Sequence, residues 1–194
     1  MRIITTCRVC RGPVRLELDL GLQPICNRFL VSASETEYKQ PLKLGVCEQC
    51  GIFQVIDGFT AEDLFPTVDW ITYNEPEGHL DVLAKEFSTK LVPGGFILGI
   101  SFKDDSTLER LHQREFRTKR LDLLADLGVM QKGAGVETIQ LKLTIERARE
   151  ISLKYGKADA LVVRHILEHV YDIPQFLLVL RELVKPDGYM ILEV

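Results

Sequence analysis

Asp159-Ala-Leu-Val-Val-Arg-His-Ile-Leu-Glu-His169 is the stretch whose reading decides the fold. Ala160 to Val163 have the length and β-branched content of a strand buried on both faces, as strands of a parallel sheet are. The apolar run then gives way to Arg164, His165, Glu168 and His169. Titratable side chains at the carboxyl end of a buried strand mark the place where open α/β sheets bind ligands. Asp172 and Pro174 supply a helix start, and Phe176, Leu177, Leu180, Leu183 and Val184 recur at helical spacing. Pro186-Asp-Gly188 predicts a turn and Tyr189 to Val194 a second strand, completing one β-α-β unit.

The same alternation runs upstream. Phe96 to Ser101 predicts a first buried strand, Ser106 to about Arg114 a helix, and Phe116 to Leu121 a second strand. A third strand is expected near Val136 to Leu141, then a helix with Ile145, Ala148, Ile151 and Tyr155 on one face. Strands alternating with helices over residues 96–194 predict an α/β fold with a doubly wound parallel sheet. Ahead of it, Thr60 to Phe65 predicts a short helix. A loop from Trp70 to His79 follows, rich in aromatic and polar residues, and then a helix from about Leu80 to Leu91.

Composition narrows the function classes. The chain has 194 residues, 46% hydrophobic and 27% charged, an ordinary globular balance. Its net charge of −4 gives no positive field to draw nucleic acid or an anionic membrane surface. No apolar stretch approaches the roughly 18–20 residues of a membrane span, and Met1 to Cys7 form no signal-peptide core. Five cysteines without a secretory signal point to a reducing cytoplasm and to metal rather than disulfides.

Cys7-x-x-Cys10 and Cys47-x-x-Cys50 are two knuckles separated by residues 11–46. Four thiolates in two close pairs suit tetrahedral zinc, and a closed four-sulfur site is structural because no position remains for water. Cys26 has no partner at metal spacing and is expected to be a buried thiol. Acidic and basic residues balance across residues 1–58, and four thiolates on one zinc add negative charge, so this module has no footprint for phosphates.

Val162-Val-Arg-His-Ile-Leu-Glu-His-Val170, followed by Lys185-Pro-Asp-Gly-Tyr-Met-Ile-Leu-Glu-Val194, resembles the fourth and fifth strands of class I S-adenosylmethionine-dependent methyltransferases. It looks most like the branch that C-methylates nucleotide-linked deoxysugars. Leu18-Asp-Leu-Gly-Leu-Gln-Pro-Ile-Cys-Asn-Arg-Phe-Leu30 and Pro41-Leu-Lys-Leu-Gly-Val-Cys-Glu-Gln-Cys-Gly51 are similar to that branch's opening zinc domain. The resemblance implies a zinc-binding domain over residues 1–58, a linker loop and helix over 59–92, and a partial methyltransferase domain over 93–194. It implies sheet order 3-2-1-4-5, structural zinc, S-adenosylmethionine as cofactor and a nucleotide sugar as substrate.

Residue by residue, the resemblance places Tyr73 and His79 on a loop lining the active site. The resemblance likewise implies that His165, Glu168 and His169 lie on a loop bordering cofactor and sugar, with His169 similar to the family's active-site histidine. The peptidase-like spacing His165-x-x-Glu168-His169 straddles a strand end, whereas that chemistry needs both histidines on one helix face. The family's cofactor loop reads roughly Glu-Ile-Gly-Ser-Asn-Asp-Gly, and here it is Gly99-Ile-Ser-Phe-Lys-Asp-Asp105. Asp104 matches, Gly99 replaces the strand-end acid, and Ser101 and Asp105 replace the glycines. Ser101 is expected to crowd the loop, and Asp105 to need a positive φ that aspartate tolerates better than most residues. Asp122 is placed to accept from ribose hydroxyls, and Arg164 joins Gly99, Ser101 and Asp104 around the cofactor. The altered loop also fits a second reading, a non-catalytic zinc-bearing scaffold or partner subunit.

Two further strands, a base motif and a sugar-binding domain are implied beyond residue 194. On that reading Tyr189 to Val194 forms an open apolar edge expected to recruit another copy of the chain, and residues 1–194 do not turn over sugar unaided.

Overall fold

The computed structural model describes residues 5–25, 28–60, 63–64, 76–130 and 135–194. The chain divides into two compact units, Met1–Ile71 and Thr72–Val194. The calls on Cys26, Trp70 and Tyr73 lie outside the described residues. So does part of the helix expected over Thr60 to Phe65; Asp63 and Leu64 form a turn there, with the Leu64 N–H donating to the Thr60 carbonyl.

The first unit is an antiparallel sheet of four strands: β1 (Thr5–Thr6), β2 (Pro13–Pro24), β3 (Lys39–Cys47) and β4 (Phe53–Ile56), hydrogen-bonded in that order. Each cysteine knuckle ends on a left-handed residue, Arg11 at φ 65 and Gly51 at φ 75, which turns the chain back into a strand. Cys7, Val14, Cys47 and Ile56 form a small core around the knuckles. An apolar cluster this small gives little folding free energy, the usual condition for a domain that a metal must hold together.

In the second unit, α1 (Gly78–Ser88) precedes a parallel sheet built from β5 (Phe96–Gly99), β6 (Arg117–Arg120), β7 (Ala158–Arg164) and β8 (Val184–Glu193). The connecting helices are α2 (Asp105–His112), α3 (Val136–Lys142), α4 (Ile145–Tyr155) and α5 (Ile173–Leu183). The strand order is β6-β5-β7-β8. The chain leaves β5 to one side to make β6 and returns on its other side as β7. This is the topological switch point, outside whose carboxyl ends open α/β sheets hold their ligands.

The core explains the strands. Ala160, Leu161 and Val162 are fully buried, and Ile97, Ala160, Val162 and Ile191 pack with Leu108, Leu111 and Ala84 of the helices. Each large aliphatic side chain buried here contributes about 1.5–3 kcal/mol. Thr144 caps α4 by accepting the Arg147 N–H, and Asp172 caps α5 by accepting the Gln175 N–H.

Two expectations are corrected. The third strand near Val136 to Leu141 is instead helix α3. Val136 and Ile139 are the buried pair, three residues apart, so helical period governs a segment whose Val, Thr and Ile composition reads as strand. Among the described residues the parallel sheet therefore has four strands rather than five. The Pro186-Asp-Gly188 turn is absorbed into β8, which pairs through Val184 with Ala158 and through Tyr189 with Ala160. The three-residue excess between those pairs is a bulge that resets the strand's register.

Gly188 sits where that bulge presses on β7. A Cβ there would lie 2.9 Å from the Asp159 carbonyl oxygen, 3.1 Å from that of Ala158 and 2.7 Å from Val184 Cγ2. Gly188→Ala is expected to destabilise the second unit by about 1–3 kcal/mol, measured by urea unfolding. An unchanged midpoint would show that the bulge accommodates a side chain.

Candidate functional site

The four knuckle cysteines converge. Their sulfurs lie within 4.8 Å of one another, with Cys7 Sγ 3.8 Å from Cys50 Sγ and Cys10 Sγ 3.5 Å from Cys47 Sγ. Zinc–sulfur bonds of about 2.3 Å in a tetrahedron require sulfurs about 3.8 Å apart. Backbone N–H groups of Val9, Gly12 and Gln49 point at Cys7, Cys10 and Cys47 sulfurs from 3.4 Å. Such donors favour thiolates, so the donor set and its surroundings fit a closed structural zinc.

In the second unit the site grows from the end of β5. Asp104 is fully buried, and its carboxylate gathers three backbone N–H groups: Ile100 at 2.6 Å, Ser101 at 2.8 Å and Arg164 at 2.8 Å. It ties the loop after β5 to the end of β7. Burial outweighs those donors and raises its pKa to about 6. Gly99 is closely packed: a Cβ there would approach Leu108 Cδ1 to 2.7 Å and Asp104 Cβ to 3.0 Å, so both side chains would have to shift. The acid that the resemblance places at position 99 would have to displace Leu108 and Asp104, and here Asp104 organises the loop.

The two glycine replacements are accommodated without strain. Ser101 is extended at φ −132, and its hydroxyl accepts the Lys103 N–H. Asp105 lies in the right-handed helical region at φ −54, so the expected positive φ is absent. Its carboxylate instead meets the Arg120 guanidinium at 2.6 Å, joining the start of α2 to the end of β6. Asp122 is exposed just past β6, where its Oδ1 accepts the Leu124 and Ala125 N–H groups.

Arg164 is the hub. Its side chain is 6% exposed, and its Nε and NH2 fork onto Glu193 at 2.6 and 3.4 Å. Its NH1 donates to the Lys103 carbonyl at 2.7 Å, Ser106 Oγ at 2.9 Å and Glu77 Oε1 at 3.2 Å. Glu77 also accepts from the Ser106 hydroxyl at 2.7 Å and lies 3.4 Å from Arg110, which pairs with Asp81 at 2.7 Å. The Ser106 hydrogen bond, followed by Arg164 and Arg110, holds the Glu77 carboxyl below the usual glutamate range. Burial works against ionisation of Glu193, but Arg164 prevails and lowers its pKa as well.

Two imidazoles close on the same carboxylate. Glu193 Oε1 lies 3.3 Å from His79 Nε2 and 3.4 Å from His165 Nε2, while His165 Nδ1 faces Glu168 at 3.6 Å. His165 is held at φ 52, a conformation a non-glycine residue seldom adopts and one that clusters at functional sites. His169 is not gathered with them; its Nδ1 faces Glu137 of α3 at 3.6 Å. Sequence reasoning missed Glu193, Glu77, Ser106 and Arg110. Glu193 carried the same signal as Arg164, a charged residue closing an apolar strand; Glu77, in the segment before α1, carried none.

A four-sulfur zinc-binding sheet and an α/β unit with its polar residues at the switch point define a two-part, zinc-bearing nucleotide-fold protein. Residues 7–65 match the family described as "Putative zinc binding domain". Residues 108–192 match the methyltransferase domain family, a match that begins after the cofactor loop. With the sheet order, these matches support a class I methyltransferase domain, whose methyl donor is S-adenosylmethionine. A search of curated proteins returns no match.

The fold offers a partial fit to that donor. Asp104 has organised the loop, Asp122 is exposed at the strand end suited to ribose hydroxyls, and the set around Glu77 is chemically suited to a carboxylate.

Two predictions follow from these geometries. The protein is expected to carry one zinc per chain, and Cys47→Ser to lose it and unfold the first unit, checked by metal analysis and circular dichroism; a metal-free, folded wild-type unit would contradict this. Carboxyl NMR titration is expected to give Asp104 a midpoint near 6 and Glu193 one below the ordinary glutamate range. Asp104 therefore stabilises the fold below about pH 4, and that contribution is lost as pH rises through about 6. The Glu77 and Glu193 pairs act oppositely, present above the unfolded glutamate pKa and lost as pH falls through their lowered values. An Asp104 midpoint near 4 would show that its three N–H donors fully offset burial.

Proposed function

We propose that this protein transfers a methyl group to a carbon beside the carbonyl of a nucleotide-linked deoxysugar. The observation that carries the reading is the convergence of His79 and His165 on Glu193 beside the β5–β7 switch point. Carbon methylation needs a base to remove a proton next to a ketone before the carbon can attack. With the His79 Nε2–H donating to Glu193, its Nδ1 carries the lone pair that takes the proton, and the C–H electrons move into an enolate. Glu193 fixes that tautomer and steadies the imidazolium that forms. His165 has a carboxylate near each ring nitrogen, Glu168 at 3.6 Å and Glu193 at 3.4 Å, which leaves neither nitrogen open to the substrate as His79 Nδ1 is on this reading. When bound, S-adenosylmethionine supplies an electrophilic methyl whose bond to sulfur breaks as the new carbon–carbon bond forms. On this reading the His79–Glu193 pair serves as the base, a role that the resemblance expects from a motif further along.

The exposed Asp105–Arg120 pair and the missing loop glycines favour a second reading, in which the fold serves as a scaffold without turnover. Proton exchange separates the two, because it needs no methyl donor. In deuterated water, a nucleotide-linked keto-deoxysugar is expected to lose its α-proton to solvent in the presence of the protein. His79→Ala should slow this by about 10²-fold or more. No exchange above buffer would leave the scaffold reading in its place.

A further inference from the structure

Glu77 occupies a site built for a carboxylate. Its oxygens are met by the Ser106 hydroxyl at 2.7 Å, Arg164 NH1 at 3.2 Å and Arg110 NH1 at 3.4 Å. One hydroxyl and two guanidinium edges, one of them on a side chain only 6% exposed, form a recognition set that a surface ion pair does not require. Ser106 lies in the first turn of α2, immediately beyond the loop that Asp104 organises, Arg110 in the last turn of the same helix, and Arg164 at the end of β7. Neither arginine depends on Glu77: Arg164 keeps Glu193 at 2.6 Å, and Arg110 keeps Asp81 at 2.7 Å. Glu77 can therefore leave without stranding a buried charge, the condition under which a second carboxylate can exchange with it.

We infer that Ser106, Arg110 and Arg164 form the subsite for the α-carboxylate of the methyl donor's methionine end, and that Glu77 is an internal competitor holding that subsite until the donor displaces it. The inference rests on S-adenosylmethionine being the cofactor of this fold. Its consequence is a latch. The donor's affinity is lowered by the fraction of molecules in which Glu77 is in place, and removing Glu77 returns that fraction. A ligand without the carboxylate neither competes with Glu77 nor gains from its removal.

The test is calorimetric titration of the zinc-loaded chain with S-adenosylmethionine and with decarboxylated S-adenosylmethionine, which differ only at the carboxylate. Glu77→Ala is expected to tighten S-adenosylmethionine binding by about tenfold or more and to leave the decarboxylated ligand unchanged. In the Glu77→Ala background, where no competitor remains, Ser106→Ala is expected to weaken S-adenosylmethionine and to leave the decarboxylated ligand unchanged. Thermal melting of each variant confirms that the fold is retained. Equal gains for both ligands in Glu77→Ala, or no gain for either, would overturn the subsite while leaving the cofactor reading intact. Absence of binding by wild type and Glu77→Ala alike would overturn both.

Discussion

Burying a guanidinium is costly unless its donors are met, and Arg164 lies almost wholly out of water at the end of the central strand β7. Much of the local structure answers that requirement. Glu193 comes from the end of β8, the Lys103 carbonyl from the loop after β5, Ser106 from α2, and Glu77 from the segment before α1. Beneath the guanidinium, the Arg164 backbone N–H is held by Asp104, itself buried and bonded to the β5 loop. One charged side chain thus pins four separate pieces of chain at the switch point of the sheet. Against burial, which disfavours its charge, Glu193 and then Glu77 keep Arg164 more firmly protonated than usual.

That arrangement also puts the proposed base and the proposed carboxylate subsite in one network. Glu193 serves Arg164 through both oxygens and the two imidazoles through one of them. Any group that displaces Glu77 leaves Arg164 dependent on Glu193 for its remaining carboxylate partner among the described residues. On the proposed reading, occupancy of the carboxylate subsite would bear on the Glu193 carboxylate that His79 faces. The first unit follows a different logic: its small apolar core is organised around four sulfurs, and zinc supplies what burial cannot.

The sequence was most informative where composition and position agreed. Ala160 to Val163 read as a buried strand because β-branched residues end abruptly in charges, and the structure buries each of them. The cysteine knuckles were legible because metal geometry allows few spacings. Val136 to Leu141 misled because their β-branched residues favour a strand locally, whereas the packing of Val136 and Ile139 three residues apart demands a helix. Asp105 misled for another reason: a glycine in a related loop was read as a need for positive φ, but here the residue enters α2 directly. Glu77 was invisible because its partners Ser106 and Arg164 are distant in sequence, and only the folded sheet brings them together.

The most direct test of the account is a crystal structure of the zinc-loaded protein with S-adenosylhomocysteine, the demethylated cofactor. The account predicts the ligand outside the carboxyl ends of β5, β6 and β7. Its carboxylate should lie on Ser106, Arg110 and Arg164, with Glu77 withdrawn and the Arg164–Glu193 fork intact. A ligand bound elsewhere, or one whose carboxylate faces solvent while Glu77 keeps its bonds to Ser106 and Arg164, would contradict it.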